Sequence, residues 1–244
     1  MTGSTSNIGR SIALAFAAEG AHVVVSGRDA TRGAAVVAEA RAIGGRADFV
    51  AADLDGSAAA SRALAEQATA LLGGRLDILV NNAGIFPGEG LVDTDEATFD
   101  RVYAVNVKAP FFLTAEVVPA MIEAGGGTVI NLGSWVARLA VPVGGLYASS
   151  KGAMETLTRA WSAEFGSRGI RVNAISPGVI RPPSLDPEIP FAEQMMRGTP
   201  AGTVGHPDAI AQAAVYLASD EASFVHGTVL DVDGGRVAAA VIAG

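Results

Sequence analysis

Three features of the sequence predict an α/β fold built on a single doubly wound parallel sheet. Short apolar runs rich in Val and Ile alternate with longer alanine-rich stretches of helical period, the pattern of parallel strands joined by crossover helices. The 244 residues are half hydrophobic, enough for one sizeable core, so one domain over 1–244 is expected. Residues suited to binding fall after the apolar runs, at the carboxyl ends of the predicted strands, where such sheets keep their sites.

In order, Met1-Thr2-Gly3-Ser4-Thr5-Ser6-Asn7-Ile8-Gly9 is a glycine-bearing loop leading into a helical pattern that ends near Gly20. Such a loop can offer backbone N–H groups and a helix amino terminus to a pyrophosphate, the plain alternative being a glycine turn that caps a helix. His22 to Ser26 is a strand followed by Gly27-Arg28-Asp29. An acidic residue at that end would bind a ribose 2′-OH and a basic one a 2′-phosphate, so Arg28 would suit a 2′-phosphate, the plain alternative being a solvated charge at a helix start. A helix to about Ile43, a strand to Ala52, a helix from Ser57 to Leu72 and a strand over Leu76–Val80 follow, the last running into Asn81-Asn82-Ala83-Gly84. Two amides and a glycine there can tie neighbouring strands together and let a ligand approach the backbone.

A helix is predicted from Asp95 to about Ala124, and a buried strand over Thr128–Gly133 ends at Ser134. Within the helix, Asn106 is an amide in apolar company and needs a hydrogen-bonding reason. Tyr147 and Lys151 lie four apart, one turn from each other on one helical face. A nearby ammonium lowers a phenol's pKa from its ordinary value of about 10, which would make Tyr147 a usable acid/base. The basic complement is fifteen arginines and two lysines, so a chain that otherwise uses arginine sets one of its lysines beside this tyrosine. A strand over Ile170–Ser176 leads to Pro177-Gly178, a helix covers Asp208–Ala218, and Thr228–Gly235 reads as the last strand and its turn. Seven of the eleven prolines fall between Pro177 and Pro207, so 178–207 is expected to be a lid carrying a short helix over Phe191–Arg197.

With those residues in place, the chain resembles the short-chain dehydrogenase/reductase family from Thr2 to about Arg236, most closely its 3-oxoacyl-[acyl-carrier-protein] reductases. The family's Asn, Ser, Tyr and Lys tetrad falls on Asn106, Ser134, Tyr147 and Lys151. The resemblance implies a Rossmann-type domain holding NADP, with NAD as the alternative. It places the dinucleotide on Gly3, Ser4, Thr5, Asn7, Ile8 and Gly9, on Arg28, on Asp53 and Leu54, and on Asn82, Ala83 and Gly84. Tyr147, Lys151, Pro177, Gly178 and Ile180 complete that set, and Ser134, Trp135 and Tyr147 meet the substrate. Asn106 would carry a water linking Lys151 to solvent. The implied reaction interconverts a ketone and a secondary alcohol, with a 3-oxoacyl thioester as the leading substrate. An NAD-dependent sugar or polyol dehydrogenase and a non-catalytic dinucleotide sensor are the alternatives. An acidic carrier protein would need Arg138, Arg168 and Arg171 on one face. A homotetramer or homodimer is implied, with the Asp95–Ala124 helix at its interface and the apolar tail Val237–Ala243 packed in a tetramer. The sequence departs from the family pattern at Asn7, where a glycine is usual, and at Pro182, where a threonine is usual and Ser184 would have to substitute.

A net charge of -8 without a basic run speaks against nucleic acid and anionic membrane as partners. The absence of cysteine excludes disulfide and thiolate chemistry, and His22, His206 and His226 lack metal-ligand spacing, so no metal site is expected. With no basic-then-apolar leader pattern and no run of 18 apolar residues, a cytoplasmic protein is expected. In this fold a strand precedes the glycine loop and occupies the middle of the sheet. Met1 stands one residue before Thr2, so the first strand is expected to be absent from this chain, with its two neighbours either separated or closed up on each other.

Overall fold

The computed structural model describes residues 1–142, 144–181 and 190–240. Its elements are α1 (Asn7–Ala18), β1 (His22–Gly27), α2 (Ala30–Ala42), β2 (Arg46–Ala51), α3 (Ala58–Leu71), β3 (Ile78–Asn81), α4 (Glu96–Tyr103), α5 (Ala109–Glu123), β4 (Gly127–Leu132), α6 (Gly145–Phe165), β5 (Ile170–Pro177), α7 (Pro190–Met196), α8 (Pro207–Ala218) and β6 (Val229–Val232). Side-chain caps start several of the helices: Asp29 accepts from the Arg32 N–H, Ser57 from Ala60 and Asp95 from Thr98.

Successive strand residues face opposite layers, which is why the strands read as continuous apolar runs. Val23, Val25, Val80 and Ile130 pack with Ile12 and Phe16 of α1, Val36 of α2 and Ile210 of α8. Val24, Leu79, Val129 and Val172 pack on the other side with Leu64 of α3, Val117 of α5 and Met154 of α6.

All the strand pairs are parallel, but the sheet is divided: β1 pairs with β2, and β3, β4, β5 and β6 form a second ladder in that order. Among the described residues, the gap between β1 and β3 is bridged by hydrogen bonds from the segment entering the glycine loop. The amino nitrogen of Met1 donates to the Val24 carbonyl (2.8 Å), the Thr2 N–H to Val80 (3.0 Å) and the Ser4 N–H to Ser26 (2.9 Å). Behind that bridge lies a slot of about 380 Å³ walled by Phe16, Val24, Leu64, Val80, Leu113 and Val117. β1 and β3 therefore stand apart and have not closed up on each other.

Helices α4 and α5 run on as one helical stretch, Glu96–Glu123, through a wider π turn over Ala104–Lys108. This stretch is long and apolar enough to cross a membrane by length and composition, and half of its apolar window is buried within the fold, as in the core helix of a globular domain. The remaining face exposes Phe99 and Phe111.

Candidate active site

The glycine loop is locked to the end of β3 by reciprocal bonds. Thr2 Oγ1 accepts from the N–H groups of Asn82 and Ala83, both at 3.1 Å, and Asn82 Nδ2 donates to the carbonyls of Thr2 (3.0 Å) and Gly3 (2.8 Å). A Cβ at Gly9 would sit 2.2 Å from the Gly3 carbonyl oxygen, so only glycine fits this crossing. Asn7 takes φ +45°, the one non-glycine residue with positive φ among those described, and so fills the glycine's place in the loop. Ser6 makes no side-chain cap bond, which leaves the first N–H groups of α1 available to a ligand. Gly3, Thr5, Asn7, Ile8 and Gly9 all line the site cavity. Ser4 does not. It is fully buried, with its hydroxyl donating to the Met1 carbonyl and accepting from the Ser26 N–H, so its expected place on the dinucleotide is corrected to a structural one.

This cavity, about 1260 Å³, runs along the carboxyl ends of the strands from Arg28 to Ser134 and Tyr147. At its first end Arg28 is exposed, and Arg32 and Arg101, which sequence reading missed, lie nearby in ion pairs with Asp29 (2.9 Å) and Asp53 (3.0 Å). Asp53 thus reaches the cavity already paired, beside Leu54. Asn82, Ala83, Gly84, Pro177, Gly178 and Ile180 line the middle. Pro182 and Ser184, the lid positions singled out in the sequence, lie outside the described residues, while α7 contributes Met195.

At the other end Ser134, Tyr147 and Lys151 open to the same space, Ser134 from the end of β4 and the other two from one face of α6. The Lys151 ammonium is buried, donates to the Leu132 carbonyl (2.8 Å) and lies 5.6 Å from the centre of the Tyr147 ring. Burial lowers its pKa from 10.5 to about 8. The expectation that Lys151 lowers the tyrosine's pKa is not met. Burial raises the Tyr147 phenol above its ordinary value, and the Ser134 hydroxyl pulls back against it. The lysine's charge is turned toward the Leu132 carbonyl.

Asn106 stands behind the cavity and not in its wall. Its Oδ1 accepts from the Ile85 N–H (2.9 Å), and its Nδ2 donates to the Ile85 carbonyl (3.1 Å) and to Ser150 Oγ (3.0 Å). The buried amide thereby ties the loop after β3 to α6 one residue from Lys151, and it does so from a π turn, a distortion frequent at functional sites.

Trp135, Val136, Val141 and Pro142 form an apolar wall to the cavity. Two wall residues had no local signal. The Phe86 ring meets Tyr147 edge-on with centroids 5.1 Å apart, and the Arg236 guanidinium lies 5.0 Å from the Trp135 ring centre. The three arginines that an acidic carrier protein would need on one face are each engaged within this chain. Arg138 binds Asp231 and Ser176, Arg171 binds the carbonyls of Leu217, Ala218 and Ser219 at the end of α8, and Arg168 covers the Phe165 ring.

A family model described as Enoyl-(Acyl carrier protein) reductase matches residues 3–236. The 3-oxoacyl-acyl-carrier-protein reductase FabG of Thermotoga maritima is 36% identical over 97% of this chain and 96% of its own. The chain belongs to the short-chain dehydrogenase/reductase family. It is accordingly an oxidoreductase acting on CH–OH donors with NAD(P) as acceptor. Galactitol 2-dehydrogenase (L-tagatose-forming) of Cereibacter sphaeroides is 38% identical over 96% of the chain and 92% of its own. A solved structure described as a candidate NAD(P)-dependent gluconate 5-dehydrogenase of Beutenbergia cavernae, with NADP bound at low occupancy, superposes with a TM-score of 0.89 at 36% identity, covering 98% of this chain and 95% of that one. The family and its Rossmann fold are thus shared with relatives that act on quite different alcohols and ketones.

Proposed function

We propose that the chain is an NADP-dependent reductase of a ketone carrying an apolar segment, with Tyr147 as the proton donor. The observation that carries this reading is the opening of Ser134, Tyr147 and Lys151 into the same cavity as the glycine loop. The loop fits a dinucleotide: its glycines leave room for a close approach, and the start of α1 has N–H groups to give to a pyrophosphate. When bound, the nicotinamide supplies the hydride in reduction and accepts it in oxidation.

The protein's part is positioning and proton transfer. The Ser134 hydroxyl donates to the substrate oxygen, and Tyr147 Oη gives that oxygen its proton. A donor must be protonated before it acts, so a phenol raised by burial suits ketone reduction at neutral pH. Lys151 binds the nicotinamide ribose, and with its pKa near 8 it can return a proton toward Tyr147. Asn106 holds the Ile85 loop and α6 in register. A water linked to Lys151 would have to use the remaining acceptor position of Asn106 Oδ1, since both amide hydrogens are engaged.

Arg28, exposed at the far end with no carboxylate partner among the described residues, supports a 2′-phosphate and hence NADP. The wall of Phe86, Val136, Val141, Pro142 and Met195 supports an apolar substrate, such as a 3-oxoacyl compound, over a polyol. Met195 of α7, which lines the cavity, supports the reading of α7 as part of a lid. The exposed Phe99 and Phe111 would be covered in a homodimer or homotetramer, and light scattering reporting only the monomer mass would count against that assembly. The reaction is tested by NADPH and NADH consumption against apolar ketones, 3-oxoacyl thioesters and ketoses. Turnover is expected with apolar ketones and NADPH; turnover of ketoses alone, or of nothing while NADPH binds, would overturn the reading.

A further inference from the structure

Two arginines face the cavity without a carboxylate partner among the described residues, one at each end. Arg28 has been given to the dinucleotide. Arg236 has no such use. It lines the cavity beside Ser134 and Tyr147, its guanidinium lies 5.0 Å from the centre of the Trp135 ring, and its Nε is buried with no hydrogen-bond partner. Asp233, the nearest acid in sequence, makes no ion pair with it; its Oδ1 accepts from the Gly235 N–H and its Oδ2 from that of Val237, both at 2.8 Å.

An arginine stacked on an indole face keeps its in-plane N–H groups for a ligand. Burying those donors unsatisfied is costly, and a planar group with two oxygens matches the guanidinium fork. One unpaired cation balances a single negative charge, which fits a carboxylate better than a phosphate group carrying nearly two. The other cation at this end, Lys151, donates to the Leu132 carbonyl and is given to the nicotinamide ribose. We propose that Arg236 is a recognition site for a carboxylate on the substrate, so that the preferred substrate is an oxo acid, and its reduced product a hydroxy acid, in place of a neutral ketone. Trp135 directly follows Ser134, so the spacing between the reacting carbonyl and the carboxylate is short, a few carbons. The assignment rests on the reading of Ser134 and Tyr147 as the carbonyl end of this site.

The test compares 2-oxo- and 4-oxopentanoate with their methyl esters in the wild type, Arg236→Met and Arg236→Lys. At least one acid should exceed its ester by tenfold or more in kcat/KM. That ratio should fall to about one in Arg236→Met and lie between the two in Arg236→Lys. A second readout needs no turnover: in a Trp161→Phe background, which leaves Trp135 as the only tryptophan, 4-hydroxypentanoate should change the emission saturably, and Arg236→Met should abolish the change. Esters as good as acids in the wild type, a preference that survives Arg236→Met, or emission that inorganic phosphate saturates and the carboxylate does not, would each overturn the proposal. If no oxo compound turns over but the emission change saturates and depends on Arg236, the carboxylate site stands and the reductase reading fails.

Discussion

Lys151 occupies a position whose energetics can be separated from its chemistry. Its folded pKa of about 8 lies below its ordinary 10.5, so between those values the folded protein binds fewer protons than the unfolded chain. Stability therefore rises with pH through that window, and below it the full cost of burying the ammonium is present. From pH 8 to 10 the wild type should gain about 2 kcal/mol relative to Lys151→Met in denaturant unfolding, and parallel curves for the two proteins would show that the lysine is not buried as a cation. Arg28 is exposed, so its contribution is screened and a moderate effect is expected. Arg28→Ala should shrink the preference for NADPH over NADH in Kd by about tenfold, the size of one charge-assisted bond; equal losses for both cofactors would remove it from the 2′-phosphate. The pairing of Tyr147 with Lys151 was legible in the sequence because it depends only on helical spacing. The direction of the tyrosine's shift was not, because it depends on burial and on where the ammonium points, and both are set by the distant Leu132 carbonyl and the cavity walls.

The glycine loop with α1 was the most legible element, since its glycines, its asparagine and the Asn81-Asn82 pair are constraints written locally. Asn81 fulfils the expected tie between strands, donating to Asn131 Oδ1 on β4 (2.9 Å) and to Thr114 Oγ1 on α5 (3.1 Å). Ser4 was misread because a motif marks a loop without telling which of its side chains turn inward. The partners of Arg138 and Arg171, Asp231 and the end of α8, were not legible for a similar reason, since both lie far along the chain. Gly9→Ala tests the element directly. The added carbon meets the Gly3 carbonyl, the Ser4 backbone and the Asn82 amide, which is itself pinned to the loop, so dinucleotide affinity should fall at least tenfold and stability by about 1–3 kcal/mol. Unchanged NADPH titration in that variant would mean that the loop is not the pyrophosphate site.

Across the whole molecule, the doubly wound arrangement was legible from the alternation of runs, and so was the gap in its middle. The behaviour of the gap was not legible, because whether β1 and β3 would pair depends on how firmly the layers of α1 and α3 hold them apart. The structure answers that with a slot in place of a ladder, bridged at the cavity end, where Met1 to Ser4 reach both strands. Phe86 and Arg236 stayed hidden for the opposite reason: each is brought to Tyr147 or Trp135 from far along the chain, and no spacing records the contact. The fold therefore gathers its site from most of the sequence, and the central claim is that this gathering ends in a proton passed from Tyr147 to a ketone oxygen. Turnover of an accepted ketone by Tyr147→Phe at saturating NADPH and substrate tests this most directly. The variant should melt as the wild type does and lose roughly three to five orders of magnitude in kcat, beyond what general acid–base catalysis alone commonly supplies, because orientation of the carbonyl is lost with the proton. A phenylalanine variant that keeps kcat within tenfold of the wild type would contradict the account.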